Sequence, residues 1–239
     1  MKRFRLLAVA SAKGSPGCSF VATGLAAQLA ERGIQTLLVD ADAEERGIAS
    51  LLDLPAAPPA ARRLGGLGVL ERTAVEAAAV RVGVSLHCLD LNGARLDGRD
   101  LAGATREAYG AVVADLGHQF GDLQRGIAAA ADWLVWVASP DRVGVERADR
   151  VLGNGDLVAK SIGLLLNRCG GHALGDAGVV LAERHQLPVL GRFREAAPAA
   201  RRAVRLAQPA NRAREFRRSF DELARSLHPD LQVGSGPWS

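Results

Sequence analysis

Lysine is almost missing from this chain. Only Lys2, Lys13 and Lys160 occur in 239 residues, so 27 of the 30 cationic side chains are arginine. So skewed a choice reflects coding bias, and a formal net charge of +4 is too modest to identify a nucleic-acid binder by itself. Cysteine is scarce and odd in number. Cys18, Cys88 and Cys169 share no C-x-x-C spacing, which argues against a disulfide framework and against structural zinc. Long apolar runs are absent too: Leu6 to Ala10 is the only apolar stretch near the start, far short of the roughly 18 residues that span a bilayer. No cleavage pattern follows it, so no integral membrane segment and a cytoplasmic location are expected. The five histidines are scattered with no H-E-x-x-H spacing, which removes a catalytic metal held by side chains of that pattern. No Gly-x-Ser-x-Gly elbow occurs either, so serine-hydrolase chemistry has no support.

What remains is ample for a core. With 48% hydrophobic and 23% charged residues the composition is that of a folded protein, and the length suits one α/β domain. Short apolar runs of strand length occur at Phe4 to Ser11, Gln35 to Asp40, Val84 to Leu91, Ala111 to Leu116, Trp133 to Ala138, Ile162 to Asn167 and Pro188 to Gly191. Between them lie helix-length segments at Ser19 to Arg32, Glu45 to Leu52, Leu101 to Tyr109, Leu123 to Ala131, Val145 to Leu152 and Ala177 to Gln186. Continuous apolar strands alternating with helices predict a doubly wound, mostly parallel sheet with helices on both faces. Phe216, Phe220, Leu223 and Leu227 recur at spacings of three and four, so Arg212 to Leu227 reads as a closing amphipathic helix. Residues 1–227 are expected to form one domain, with a surface loop near Pro55 to Gly68 and a flexible tail over 228–239. Trp133 and Trp136 read as core or interface rather than as a ligand platform.

The chemistry begins where the first strand turns into the first helix, at Lys13-Gly14-Ser15-Pro16-Gly17-Cys18-Ser19. Glycines there let backbone N–H groups close on a phosphate, and the helix amino end adds about half a positive charge aimed at the anion. An ordinary phosphate loop reads G-x-x-x-x-G-K-[ST], with its lysine along the β- and γ-phosphates. Cys18 stands in the lysine position. Residues 4–54 resemble the ParA/MinD branch of P-loop ATPases, whose deviant loop reads K-G-G-x-G-K-[ST] and whose second strand ends in D-x-D. The chain matches that loop at Lys13, both flanking glycines and Ser19, and the strand end at Asp40-Ala41-Asp42. With three lysines in 239 residues, one falls at a given position by chance about 1% of the time. The resemblance extends over roughly residues 4–227, with Tyr109 to Leu116 similar to the family's Walker B strand, Leu164 to Arg168 to the strand ending in Asn that faces adenine, and Leu187 to Arg205 to the last strand and its helix.

The resemblance implies ATP or ADP with Mg2+ as ligands and a homodimer that sandwiches them. Lys13 would reach the partner's phosphates and Asp42 would position the attacking water, the two catalytic candidates. Gly14, Ser15, Pro16, Gly17, Cys18, Ser19 and Phe20 would hold the nucleotide from the loop, with Asn167 and Arg168 at the base. Ser19 would coordinate magnesium directly, and Asp40 and Asp115 would support it through water. The plainer readings stay open: Asp40 and Asp42 as helix caps, Asp115 as a bare strand end, Asn167 as a turn residue, and His118 as an exposed loop histidine.

Two departures bear on activity. Without the lysine, charge-assisted contacts to the β- and γ-phosphates are lost, each worth about 1.5–3 kcal/mol. The last strand runs into Arg192-Phe193-Arg194-Glu195, where the family has Ile-Pro and an acidic residue, and Arg192 or Arg194 are candidates to compensate. Cys18 therefore admits an ATPase running on Lys13 and magnesium, a weakly or non-hydrolysing pseudo-ATPase scaffold, a redox sensor with a thiol activated by the helix amino end, or a small apolar filler. Lys-Gly-Ser-Pro-Gly looks most like the CpaE/TadZ-type members tied to Flp/Tad pilus assembly, whose frequent receiver-like domain is not expected ahead of a loop beginning at residue 13. That implies protein partners in a pilus or secretion machine and a polar site. The runner-up is a partition ATPase at the nucleoid. From Arg192 to Arg225 ten arginines face only four acidic residues, a solvated helix surface or a nonspecific DNA surface. A MinD-like membrane role is not expected, because the tail after His228 is no basic amphipathic helix.

Overall fold

A computed structural model of the chain describes residues 5–12, 17–42, 47–55, 64, 70–91, 94, 96–106, 108–155, 157–170 and 175–228. Its strands are β1 (Arg5–Ala10), β2 (Thr36–Asp40), β3 (Val80–Arg81), β4 (Leu86–Asp90), β5 (Ala111–Asp115), β6 (Trp133–Ala138), β7 (Ile162–Cys169) and β8 (Val189–Arg194). They form one sheet in the order β3-β4-β2-β5-β1-β6-β7-β8, parallel except where β3 pairs antiparallel with β4. The helices are α1 (Cys18–Glu31), α2 (Gly47–Leu52), α3 (Arg72–Ala78), α4 (Gly98–Thr105), α5 (Asp122–Ala130), α6 (Arg142–Asn154), α7 (Gly175–Arg184), α8 (Ala197–Arg205) and α9 (Arg214–Leu227), with a 3-10 turn at Ala210–Arg212. Among the described residues no helix is long and apolar enough to cross a membrane.

Period-two alternation divides the strand side chains between two cores. Leu6, Ala8 and Ala10 of β1 face the core closed by α3 to α7, whereas Leu7 and Val9 face the core under α1, α2 and α9. Trp136 is fully buried in the first core, and half-buried Trp133, an odd step away on the same strand, packs on the second. The spacing read in α9 holds: Phe216, Phe220, Leu223 and Leu227 are all buried. Phe220 packs edge-on against Phe193 at 4.7 Å and lies over Gly24 of α1, where an added Cβ would stand 2.2 Å from the ring. Burying such a ring contributes about 1.5–3 kcal/mol.

The structure departs from the expected elements in a few places. The segment from Val84 does not start a strand there. Val82 and Gly83 both donate to the Leu86 carbonyl, closing a hairpin that adds β3 and leaves Val84 exposed. Helix α3 has no counterpart in the periodicity reading, and β8 runs on to Arg194 because Phe193 finds a fully buried place. Phe4, Glu45 and most of the Pro55 to Gly68 loop lie outside the described residues, although Leu64 is buried in the first core. Residues 229–239 also lie outside them, but His228 is buried directly after α9 rather than frayed.

Strand order fixes where a ligand can sit. The chain runs from β1 to β2 on one side and later crosses from β5 to β6 on the other, so the order reverses at β1. In open α/β sheets the crevice beyond the carboxyl ends of the strands at such a reversal is the binding position. The opposite end of β6 is fastened instead. Asp132 accepts from the Leu6 amide at 3.0 Å and from Lys160 Nζ at 2.8 Å. Burial pushes its carboxyl up, but Lys160 and the Leu6 amide outweigh this and hold it below the usual 3.8. A depressed carboxyl stabilises the fold at pH above its unfolded value and loses that contribution as pH falls through the folded one. Asp132→Ala should therefore cost about 1–2 kcal/mol at pH 7, after allowing for the exposure of Lys160, and thermal unfolding should show that deficit shrinking below pH 3.8.

Candidate functional site

Among the described residues no side chain caps the amino end of helix α1. Helices α3, α8 and α9 likewise open without one, whereas α4 and α6 are capped by Asp97 and Asp141, which accept from the Arg99 and Gly144 amides at 2.9 and 2.8 Å. The α1 amino end thus presents backbone N–H groups that need an acceptor. Gly17, just before it, has φ +98°, the left-handed region that side chains disfavour. A Cβ there would also stand 2.6 Å from Asn167 Nδ2, so the Asn167 amide lies directly against the turn. Lys13, Gly14, Ser15 and Pro16 lie outside the described residues.

Parallel register sets carboxylates beside this helix end. Asp40 and Asp115 are register partners on β2 and β5, neighbours at the roughly 4.8 Å strand spacing, and both are buried. Asp40 Oδ1 accepts from the Asp42 amide at 3.3 Å, and Asp115 Oδ1 accepts from the Gly117 amide at 3.1 Å. The other oxygen of each, Oδ2, is buried without a partner among the described residues. Asp42, also buried, rests its carboxylate on Gly117, where an added Cβ would fall 2.4 Å from it. Burial, then the charges of Asp115 and Asp90, pushes the Asp40 carboxyl up to about 8. Burial also pushes Asp115 up, to about 6, although the Ser19 hydroxyl and the Gly117 amide pull it back. Ser19 sits close to both α2 and Asp115, since a Cβ on Gly47 would stand 2.6 Å from its Oγ.

Two orphaned carboxylate oxygens and one hydroxyl fit a hard divalent cation such as magnesium, which keeps several waters and takes few protein ligands. Among the described residues no group of three or more His, Cys, Asp or Glu side chains is placed to hold a metal alone, so other oxygens must complete such a shell. Gln124 braces the carboxylates from α5. Its Nε2 donates to the Ala41 carbonyl at 2.6 Å and its Oε1 accepts from the Gly121 amide at 3.0 Å, tying the segment between Asp40 and Asp42 to the loop after β5. No sequence motif marks Gln124, because its role depends on a contact 83 residues away.

On the other side of Gly17 lies a cavity of about 700 Å3. Phe20 and Phe216, edge-on at 5.0 Å, give it an aromatic wall, while Asn167, Arg168 and Arg194 reach it from the ends of β7 and β8. Asn167 is buried, and Arg168 holds a left-handed φ of 61° as its amide donates to Asn167 Oδ1 at 2.9 Å. Of the two arginines offered as compensation, Arg194 lines the cavity and Arg192 does not. Phe216 was missed as a wall residue because its helical spacing marks it equally well as core.

Cys18 has a thiol that is buried, with Sγ 3.9 Å from the Gly117 carbonyl it faces. Burial, followed by the negative charge of Asp115, pushes the thiol well above its ordinary range, which weighs against a thiol activated by the helix amino end and accords with a small apolar filler. His118 is half-buried in the loop after β5 rather than exposed.

The profile of the CobQ/CobB/MinD/ParA nucleotide binding domain matches residues 7–205. The chain belongs to this family. Among solved structures, the MinD/ParA-family chain is similar to a ParA family ATPase from Chlorobium tepidum TLS, with a TM-score of 0.81 at 16% identity over 93% of this chain and 98% of that one. It is similar to the septum site-determining protein MinD of Pyrococcus horikoshii OT3 complexed with Mg-ADP, with a TM-score of 0.74 at 19% identity, covering 94% and 96%. A Cyanothece McdA variant complexed with ATP gives a TM-score of 0.75 at 15% identity, covering 99% of each chain. At these identities the likeness establishes the ParA/MinD fold. No curated protein matches the chain in sequence.

Removing a buried, unpaired charge should stabilise the ligand-free protein. The raised Asp40 carboxyl makes folding less favourable as pH climbs from the usual 3.8 through about 8. Asp40→Asn should accordingly raise the melting temperature by a few degrees at pH 9, equivalent to about 1–2 kcal/mol, with little gain at pH 5.

Proposed function

We propose that this protein is a nucleotide-binding switch that takes Mg-ATP or Mg-ADP and hydrolyses ATP weakly or not at all. The observation that carries this reading is the continuity of an uncapped helix amino end, orphaned carboxylates and an aromatic-walled cavity around Gly17. Backbone N–H groups at Cys18 and Ser19 receive the phosphates, Ser19 together with Asp40 and Asp115 through water holds magnesium, and Asn167 and Arg168 take the base beside Phe20. Bound there, magnesium neutralises β- and γ-phosphate oxygens. Asp42, seated on Gly117 and braced through Gln124, orients a water toward the γ-phosphate.

Cys18 limits the chemistry. An in-loop lysine adds a cation along the phosphates, whereas the Cys18 thiol is neutral and turned into the core against Gly117. Lys13 remains as the lysine of the deviant loop, reaching across a homodimer to the partner's phosphates. Nucleotide-dependent dimer surfaces would then recruit protein partners and position a cellular machine. The Lys-Gly-Ser-Pro-Gly loop favours the CpaE/TadZ-like branch, and with it Flp/Tad-type pilus or secretion assembly at a cell pole. A partition role at the nucleoid is the second reading, favoured by the exposed Arg202, Arg214 and Arg217 around α8 and α9.

Calorimetry with steady-state phosphate release tests the proposal. Wild type should bind Mg-ATP with turnover near background, and Cys18→Lys should raise turnover at least tenfold. Magnesium-dependent hydrolysis by wild type that Asp42→Ala abolishes would overturn the weak-hydrolysis reading, and the absence of nucleotide binding would overturn the site itself.

A further inference from the structure

Four arginines, Arg168, Arg194, Arg201 and Arg205, line the cavity beside Gly17. One stripe of α8 faces it: Ala197, Ala200, Arg201, Val204 and Arg205, at helical spacings of three and four. Arg168 and Arg194 join from the strand ends, and Glu195 is the only carboxylate among the described residues of the wall. Further along the chain Arg212, Arg218 and Arg225 are paired with Glu31, Glu222 and Asp221. Arg168, Arg194, Arg201 and Arg205 have no carboxylate partner among the described residues.

Like charges one helical turn apart repel, so Arg201 and Arg205 stand on one face at a cost that a bound anion would repay. Guanidinium forks match phosphate oxygens in pairs, and Ala197 and Ala200 leave room in front of them. The volume of about 700 Å3 lies within the usual range for small-molecule sites.

Resting on the nucleotide reading above, we infer that the same site accepts, and prefers to a nucleotide with a 5′ chain alone, one phosphorylated on both its 5′ and its 3′ ribose oxygens. Its 5′ phosphates lie at the amino end of α1, its base lies along Phe20 and Phe216, and its 3′ phosphate is received by Arg201 and Arg205 with Arg168 and Arg194 flanking. The charge withheld from the loop at Cys18 is supplied at the opposite end of the same ligand.

Titration calorimetry with the full chain, at about 150 mM salt with magnesium, would pair guanosine 3′-diphosphate 5′-diphosphate with GDP and adenosine 3′,5′-bisphosphate with AMP. Each doubly phosphorylated nucleotide should bind at least tenfold tighter than its parent. In Arg201→Ala/Arg205→Ala that ratio should fall below threefold, while Arg201→Lys/Arg205→Lys, which keeps charge without the fork, should fall between. Equal affinities within each pair for wild type, or a ratio unchanged in the alanine variant, would overturn this inference and leave the nucleotide reading standing. If none of the four nucleotides binds, this inference falls, and calorimetry with Mg-ATP decides the nucleotide reading separately.

Discussion

Parallel pairing of β2 with β5 brings Asp40 and Asp115 side by side at the carboxyl edge of the sheet, and the Gly117 turn sets Asp42 against them. Burial leaves one oxygen of Asp40 and one of Asp115 without a partner among the described residues, in a place where ionisation is costly. A chain that needed only to fold would do better with neutral side chains there. The arrangement makes physical sense when something cationic enters. The uncapped amino end of α1, a few residues away, calls for something anionic. A polyphosphate carrying a divalent cation answers both demands, and the topology places that pair of needs at the sheet's point of reversal.

Charge is distributed differently here from what an ordinary phosphate loop would give. At position 18, where an ordinary phosphate loop has lysine, stands a buried thiol facing Gly117, so on the proposed reading affinity from the loop would rest on backbone dipoles and on Lys13. Arginines gather instead around the far part of the cavity, on the ends of β7 and β8 and on one stripe of α8. The proposed reading thereby separates binding from hydrolysis. Dipoles, aromatic faces and arginine forks can hold a nucleotide, whereas stabilising charge on a transferring γ-phosphoryl group asks for a cation close to it.

Much of this was legible in the chain. The apolar runs at Leu6 to Ala10, Leu37 to Val39 and Val112 to Ala114 are continuous because both faces of those strands are buried, and that burial is what the eye reads as a parallel sheet. Asp40, Asp42, Asp115 and Asn167 were marked by their resemblance to the strand-end motifs of the ParA/MinD family. The two-residue β3 was not, since it exists through the hairpin at Gly83 rather than through any run of its own. Phe216, Arg201, Arg205 and Gln124 escaped for a related reason. Each acquires its role from a contact far along the chain, and local spacing reports only the face of its own element. The Cys18 thiol shows the limit most clearly, because its surroundings, not its place at a helix start, decide its acidity.

Thermal unfolding of the wild-type protein, alone and with Mg2+, ATP or both, addresses the central claim most directly. If the orphaned carboxylates and the open helix end await one composite ligand, Mg2+ and ATP together should raise the melting temperature by several degrees, well beyond the sum of their separate effects. Curves that superimpose under all four conditions would contradict the account.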